Sequence, residues 1–62
     1  MQVTFYVLGR IAERVEIHFI PRVGDKVWLP EGYFIVQQVA HDFRRETTNL
    51  VHIWLIEEKV KE

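Results

Sequence analysis

The chain has 62 residues, of which 48% are apolar, 13% aromatic and 27% charged, with a formal net charge of -1 and no cysteine. That length holds one domain spanning residues 1–62, the missing thiols exclude disulfide and thiolate chemistry, and the near-neutral balance removes the global field that gathers nucleic acid or an anionic membrane. A chain this short buries only about 60% of the surface its unfolded form exposes, so so much apolar content without a covalent staple points to dense packing or self-association.

Residues 3–8 (VTFYVL) are β-branched and aromatic and predict a strand, with Val3, Phe5 and Val7 on one face and Thr4, Tyr6 and Leu8 on the other. Both faces are largely apolar, which suits a central strand or one covered on its second side. Gly9 breaks the run. Residues 10–14 (RIAER) have helical propensity but are too few for a stable helix, and read as a hairpin loop or single turn, with a strand extension as the rival. Residues 15–20 (VEIHFI) alternate as a half-buried strand that Pro21 ends.

Gly24 and Asp25 are turn formers, the glycine for positive φ and the aspartate for bonding nearby amides. Residues 26–29 (KVWL) predict a short strand, and Pro30-Glu31-Gly32 a tight turn. Residues 33–43 (YFIVQQVAHDF) predict a strand of roughly 36 Å if straight. A domain this small requires it to bend, and the Gln37-Gln38 pair is the natural place for a bulge. Residues 44–49 read as a loop. Residues 50–56 (LVHIWLI) form the last strand, with Val51, Ile53 and Leu55 as its core stripe and His52 and Trp54 opposite, and residues 57–62 as a charged tail expected to fray.

Four to five antiparallel strands so spaced, with a Gly-Asp turn and a Pro-Glu-Gly hairpin, resemble an SH3-like small β-barrel or roll. Pro21-Arg22-Val23-Gly24-Asp25-Lys26-Val27, then Gly32-Tyr33-x-Ile35-Val36 and Val39-x-His41-Asp42, resemble a class of short uncharacterised proteins of phages and bacterial genomes. The likeness covers about residues 20–56 and rests on a turn followed by two strands, so it implies a fold and carries no catalytic residue. It also implies an accessory virion component or an inhibitor of a host protein. Gly24-Asp25-x-Val27 further resembles the KOW element of ribosomal proteins and elongation factors, but Trp28-Leu29-Pro30-Glu31 replaces its glycine- and lysine-rich continuation.

For catalysis the residue types are wrong. Serine and cysteine are absent, the threonines Thr4, Thr47 and Thr48 have no evident base, the adjacent Glu57 and Glu58 face opposite ways on a strand, and three glycines make no phosphate cradle. His18, His41 and His52 lie at no metal-ligand spacing, so neither a metal site nor a cofactor is expected. Arg22, Lys26, Arg44 and Arg45 are the candidate contacts for single-stranded nucleic acid, although Asp42 and Glu46 flank the arginine pair.

The aromatics are the stronger lead, because Tyr6, Trp28, Tyr33 and Trp54 cannot all be interior in so small a core. Trp54, with His52, Tyr6 and Trp28, is the expected partner-binding set, since Trp and Tyr dominate interface hot spots. The reading is a non-catalytic β module that binds another protein or itself as a homo-oligomer, most simply a dimer through a strand edge or an aromatic face. No stretch reaches the roughly 20 apolar residues of a membrane helix. No basic segment precedes the first apolar run and no small-residue cleavage site follows it, so no signal peptide is read. A cytoplasmic location is expected, or the virion if the chain is phage-encoded.

Overall fold

The β-branched and aromatic runs fold as five strands, β1 (Gln2–Val7), β2 (Arg10–Glu16), β3 (Lys26–Leu29), β4 (Gly32–Asp42) and β5 (Leu50–Glu57). The structure is a computed structural model and describes residues 1–44 and 50–58. The strands form one sheet of order β2-β1-β5-β4-β3, curled into a half-barrel, so the expected all-β small barrel or roll is what the chain adopts. Three pairings are antiparallel, but β1 and β5 run parallel, Val3 beside Val51 and Tyr6 beside Trp54. No hairpin joins those two strands, so no tight turn forces them antiparallel.

The inner face holds the core of Val3, Phe5, Phe34, Val36, Val51, Ile53 and Leu55, with Val3 and Ile53 wholly buried. Val51, Ile53 and Leu55 are the stripe that alternation in the last strand predicts. β4 bends at the polar pair as expected: its register against β5 shifts between Val36 and Gln38. Before the bulge it pairs with both β3 and β5, and after it with β5.

Two segments differ from the sequence expectation. Residues 10–14 are strand rather than loop, because the reversal needs only Leu8 and Gly9, at φ 53° and 75°. Positive φ at both central positions is the hairpin turn whose twist matches the flanking strands. Arg10 then falls straight into the ladder, and pairing with β1 overrides helical propensity. The strand ends at Glu16, and residues 17–25 instead carry the chain from one edge of the sheet to the other. Ile17 donates its N–H to the Met1 carbonyl (3.0 Å), Ile20 lines one hollow with Val51 and His41, and the Gly24 N–H and Asp25 carbonyl exchange bonds with Val36 (both 2.9 Å). Asp25 closes the turn as foreseen, its Oδ2 accepting from the Arg22 N–H at 2.8 Å. The crossing packs Ile17 and Ile20 against the core.

A domain of this size is stable by roughly 3–9 kcal/mol in total, and truncating a fully buried isoleucine costs about 2–5 kcal/mol. Ile53→Ala is therefore expected to remove most or all of the cooperative urea transition, while Ile56→Ala on the outer face leaves its midpoint nearly unchanged. Leu8 sits in a left-handed conformation at 94% exposure, which costs a non-glycine residue about 1–2 kcal/mol. Leu8→Asn, suited to that turn, should raise the urea midpoint, and a lowered midpoint would contradict the turn assignment.

Candidate functional site: the outer aromatic face

Because side chains alternate along each strand, the register that fills the inner face also fixes the outer one. Going across the sheet, one outer row reads Arg14, Thr4, His52 and Ala40, and the next Ile11, Tyr6, Trp54 and Gln38. Ile56, Ile35 and Lys26 follow, then Tyr33 and Trp28. The result is an apolar band running obliquely over the outside of the half-barrel.

Tyr6 and Trp54, cross-strand neighbours, stack with ring centroids 5.2 Å apart and planes 16° from parallel. Both are half-buried. Trp28, 74% exposed, meets Tyr33 edge-on at 5.5 Å on the β3–β4 hairpin, roughly 13 Å further along at 3.3 Å per residue. Ile56 and Ile35 bridge the interval. Thr4, though on this side, is buried between Arg14, Tyr6 and His52.

A polar chain borders the ring pair. The Tyr6 hydroxyl lies 2.7 Å from His52 Nδ1, and His52 Nε2 lies 3.6 Å from Asp42 Oδ2. The last distance is an electrostatic contact, longer than a hydrogen bond. An ionised carboxylate only accepts, so the His52 tautomer that suits both neighbours carries its proton on Nε2 and accepts from the Tyr6 O–H at Nδ1. Asp42 in turn receives Arg44 in a fork, Nε to Oδ1 at 3.0 Å and Nη2 to Oδ2 at 2.8 Å, with the Arg44 main-chain N–H adding 3.1 Å to Oδ1. These bonds hold the Asp42 carboxyl far below the ordinary carboxylate range and keep the Arg44 guanidinium above its own ordinary value. Tyr6, His52, Trp54, Asp42, Phe43 and Arg44 enclose an open depression of about 420 Å³.

Of the four residues expected to bind a partner, Tyr6, His52 and Trp54 come together here, and Trp28 lies at the far end of the same band. The expected cations that are described, Arg22, Lys26 and Arg44, do not form one patch. Arg22 sits in the crossing segment, its carbonyl accepting from the Asp25 N–H, and Lys26 pairs with Glu58 at 3.3 Å, opposite Ile35 and roughly 20 Å along β4 from Asp42. Arg44 is engaged by Asp42, and Arg45 lies outside the described residues. The histidines are spread as well. His18 is in the crossing, His41 stacks on Phe43 at 6.0 Å, and His52 is on the opposite face from His41. Among the described residues no group of three or more His, Asp or Glu side chains is placed to hold a metal.

Sequence reasoning passed over Asp42, Ala40 and Phe43 as site residues. Asp42 and Arg44 at a spacing of two was the available signal, since that spacing returns to one face of a strand. No protein family, no curated protein and no solved structure matches the chain. Among the described residues no helix is long and apolar enough to cross a membrane.

Asp42 titrates lower in the folded chain than in the unfolded one, where a carboxyl near pKa 3.9 is expected. Its charge therefore adds stability above about pH 4, and that contribution is lost as pH falls toward the folded value. Arg44 is 87% exposed, so solvent keeps the effect small. The urea midpoint of the wild type should fall more between about pH 5 and pH 2 than that of Asp42→Asn, and parallel curves would remove the stabilising role of the pair.

Proposed function

We propose that the protein is a non-catalytic β module that docks a protein chain on its outer aromatic band, and that the first occupant is a second copy of itself. The observation that carries this reading is the band: stacked Tyr6 and Trp54 continue through Ile56 and Ile35 to Trp28 and Tyr33, with Ile56, Tyr33 and Trp28 at 44%, 52% and 74% exposure. Large aromatics at such exposure have no role in the core, and they are the side chains from which interface hot spots are built. The rim supports self-association. Arg14 and Glu16 border one side, Lys26 and Glu58 the other, so a two-fold axis can set opposite charges against each other. With a net charge of -1, two copies barely repel.

A binding role without chemistry fits the polar chain too. Asp42 has both oxygens committed to Arg44 and stands 3.6 Å from the imidazole, so the orienting bond of a nucleophile–base–acid array is not closed. Among the described residues, Lys26 and Arg44 are each paired with a carboxylate and stand near opposite ends of β4, which disfavours a continuous track for nucleic acid.

Sedimentation over a dilution series up to millimolar chain should show reversible dimers. The Trp28→Ala/Tyr33→Ala variant, altered only at exposed positions, should dissociate at least about 30-fold more readily, the effect of losing one hot spot. A wild type that stays monomeric throughout, or a variant that dimerises equally well, would overturn the self-association. Complexes formed with short oligonucleotides that weaken steeply with salt would replace it with nucleic-acid binding.

A further inference from the structure

We propose that the depression beside Asp42 is a recognition site for an arginine side chain, and that Arg44 occupies it as the chain's own displaceable stand-in. Arg44 shows which ligand the site accepts: a planar guanidinium whose Nε and Nη2 meet the two carboxylate oxygens of Asp42 at 3.0 and 2.8 Å. Such a fork matches guanidinium and carboxylate in geometry as well as charge, and a lysine ammonium cannot reproduce it.

The two halves of this pair are anchored differently. Asp42 is the last residue of β4, in register with Leu50 of β5, and its side chain is 13% exposed. Arg44 lies beyond the strand with 87% of its side chain in water. The acceptor is thus built into the sheet, while the donor sits where leaving costs little, because an exposed ion pair is weak. His52 at 3.6 Å and the Arg44 main-chain N–H at 3.1 Å remain to support the carboxylate charge when the guanidinium departs.

The remainder of the depression suits the same ligand. The stacked Tyr6 and Trp54 are among its lining residues, and an aromatic ring attracts a guanidinium. At about 420 Å³ it has room for an incoming arginine. An intramolecular occupant lowers apparent affinity in proportion to the time it holds the site, so Arg44 sets the threshold an outside arginine must exceed. Which chain presents that arginine rests on the docking role proposed above, whereas the site itself does not.

The test titrates Nα-acetyl-arginine amide into the protein, read by Trp54 fluorescence in a Trp28→Phe background. Arg44→Ala should bind it up to about fivefold more tightly than the arginine-bearing chain, the worth of an exposed pair, and Nα-acetyl-lysine amide should bind more weakly than either. Adding Asp42→Asn should abolish the response. As a second readout needing no substitution, the Arg44 Nε–H resonance of the wild type should shift as the ligand displaces it. Arg44→Ala binding no more tightly, Asp42→Asn binding as well, or a resonance that stays still at saturation would each overturn the proposal. Because the ligand is a single amino-acid derivative, a failed titration with dimerisation intact removes this site alone, and lost dimerisation with the titration intact removes only the self-association.

Discussion

The parallel register of β1 on β5 is the constraint from which the rest of the molecule follows. It sets Val3 beside Val51 and Phe5 beside Ile53, closing the middle of the core, and the same steps set Thr4 beside His52 and Tyr6 beside Trp54 on the outer side. A slip of one residue would turn one strand over against the other, exposing Val3 or Ile53, the two core residues with no accessible surface, and splitting the aromatic pair between the two faces. Core and outer face are therefore specified by one alignment. The bulge at Gln37 extends it to β4, because the extra residue lets Val36 and Val39 both face the core, so that Ala40 and Asp42 fall beside His52 and Leu50 on the outside.

Much of this was legible from local pattern. Alternation in residues 50–56 separated Val51, Ile53 and Leu55 from His52 and Trp54 without any knowledge of their neighbours, and the strand of residues 33–43 was too long for the domain unless it bent at its polar pair. The turns at Gly24-Asp25 and Pro30-Glu31 follow from the conformations those residues favour. The miss at residues 10–14 has a physical cause: their helical propensity is a weak local term, and a two-residue turn at Leu8 and Gly9 delivers them to β1, whose six registered pairs with β2 outweigh it. The parallel pairing was equally out of reach, since it joins residues some fifty apart and no motif marks it.

The site was half legible for the same reason. Trp54, His52, Tyr6 and Trp28 could be named from composition and alternation, but their grouping depends on three registers at once. Asp42 shows the difference most clearly. In sequence it is an acid flanking an arginine pair, the ordinary look of a solvated hairpin tip. In the fold it stands at the end of β4 facing His52 across the strand gap, with Arg44 folded back onto it. Lys26 and Arg44 do not meet by the same logic, because they lie near opposite ends of the one strand that separates them.

Several residues break local rules without serving the core, and although Phe19 and Val23 of the crossing segment are exposed too, three lie on or beside the outer face. Leu8 adopts a left-handed conformation that glycine or asparagine would take more easily, and it does so with almost all its surface in water. Trp28 and Tyr33 place two aromatics in solvent on a short hairpin where polar residues would serve the sheet as well. Each choice gives up some stability or solubility, and nothing in the packing of the inner face returns it. A sequence that is otherwise consistent from turn to core departs from that consistency where a surface is needed for something other than folding. The inner face of the half-barrel accounts for why the chain folds, and these departures are the ground on which docking at the outer face is proposed.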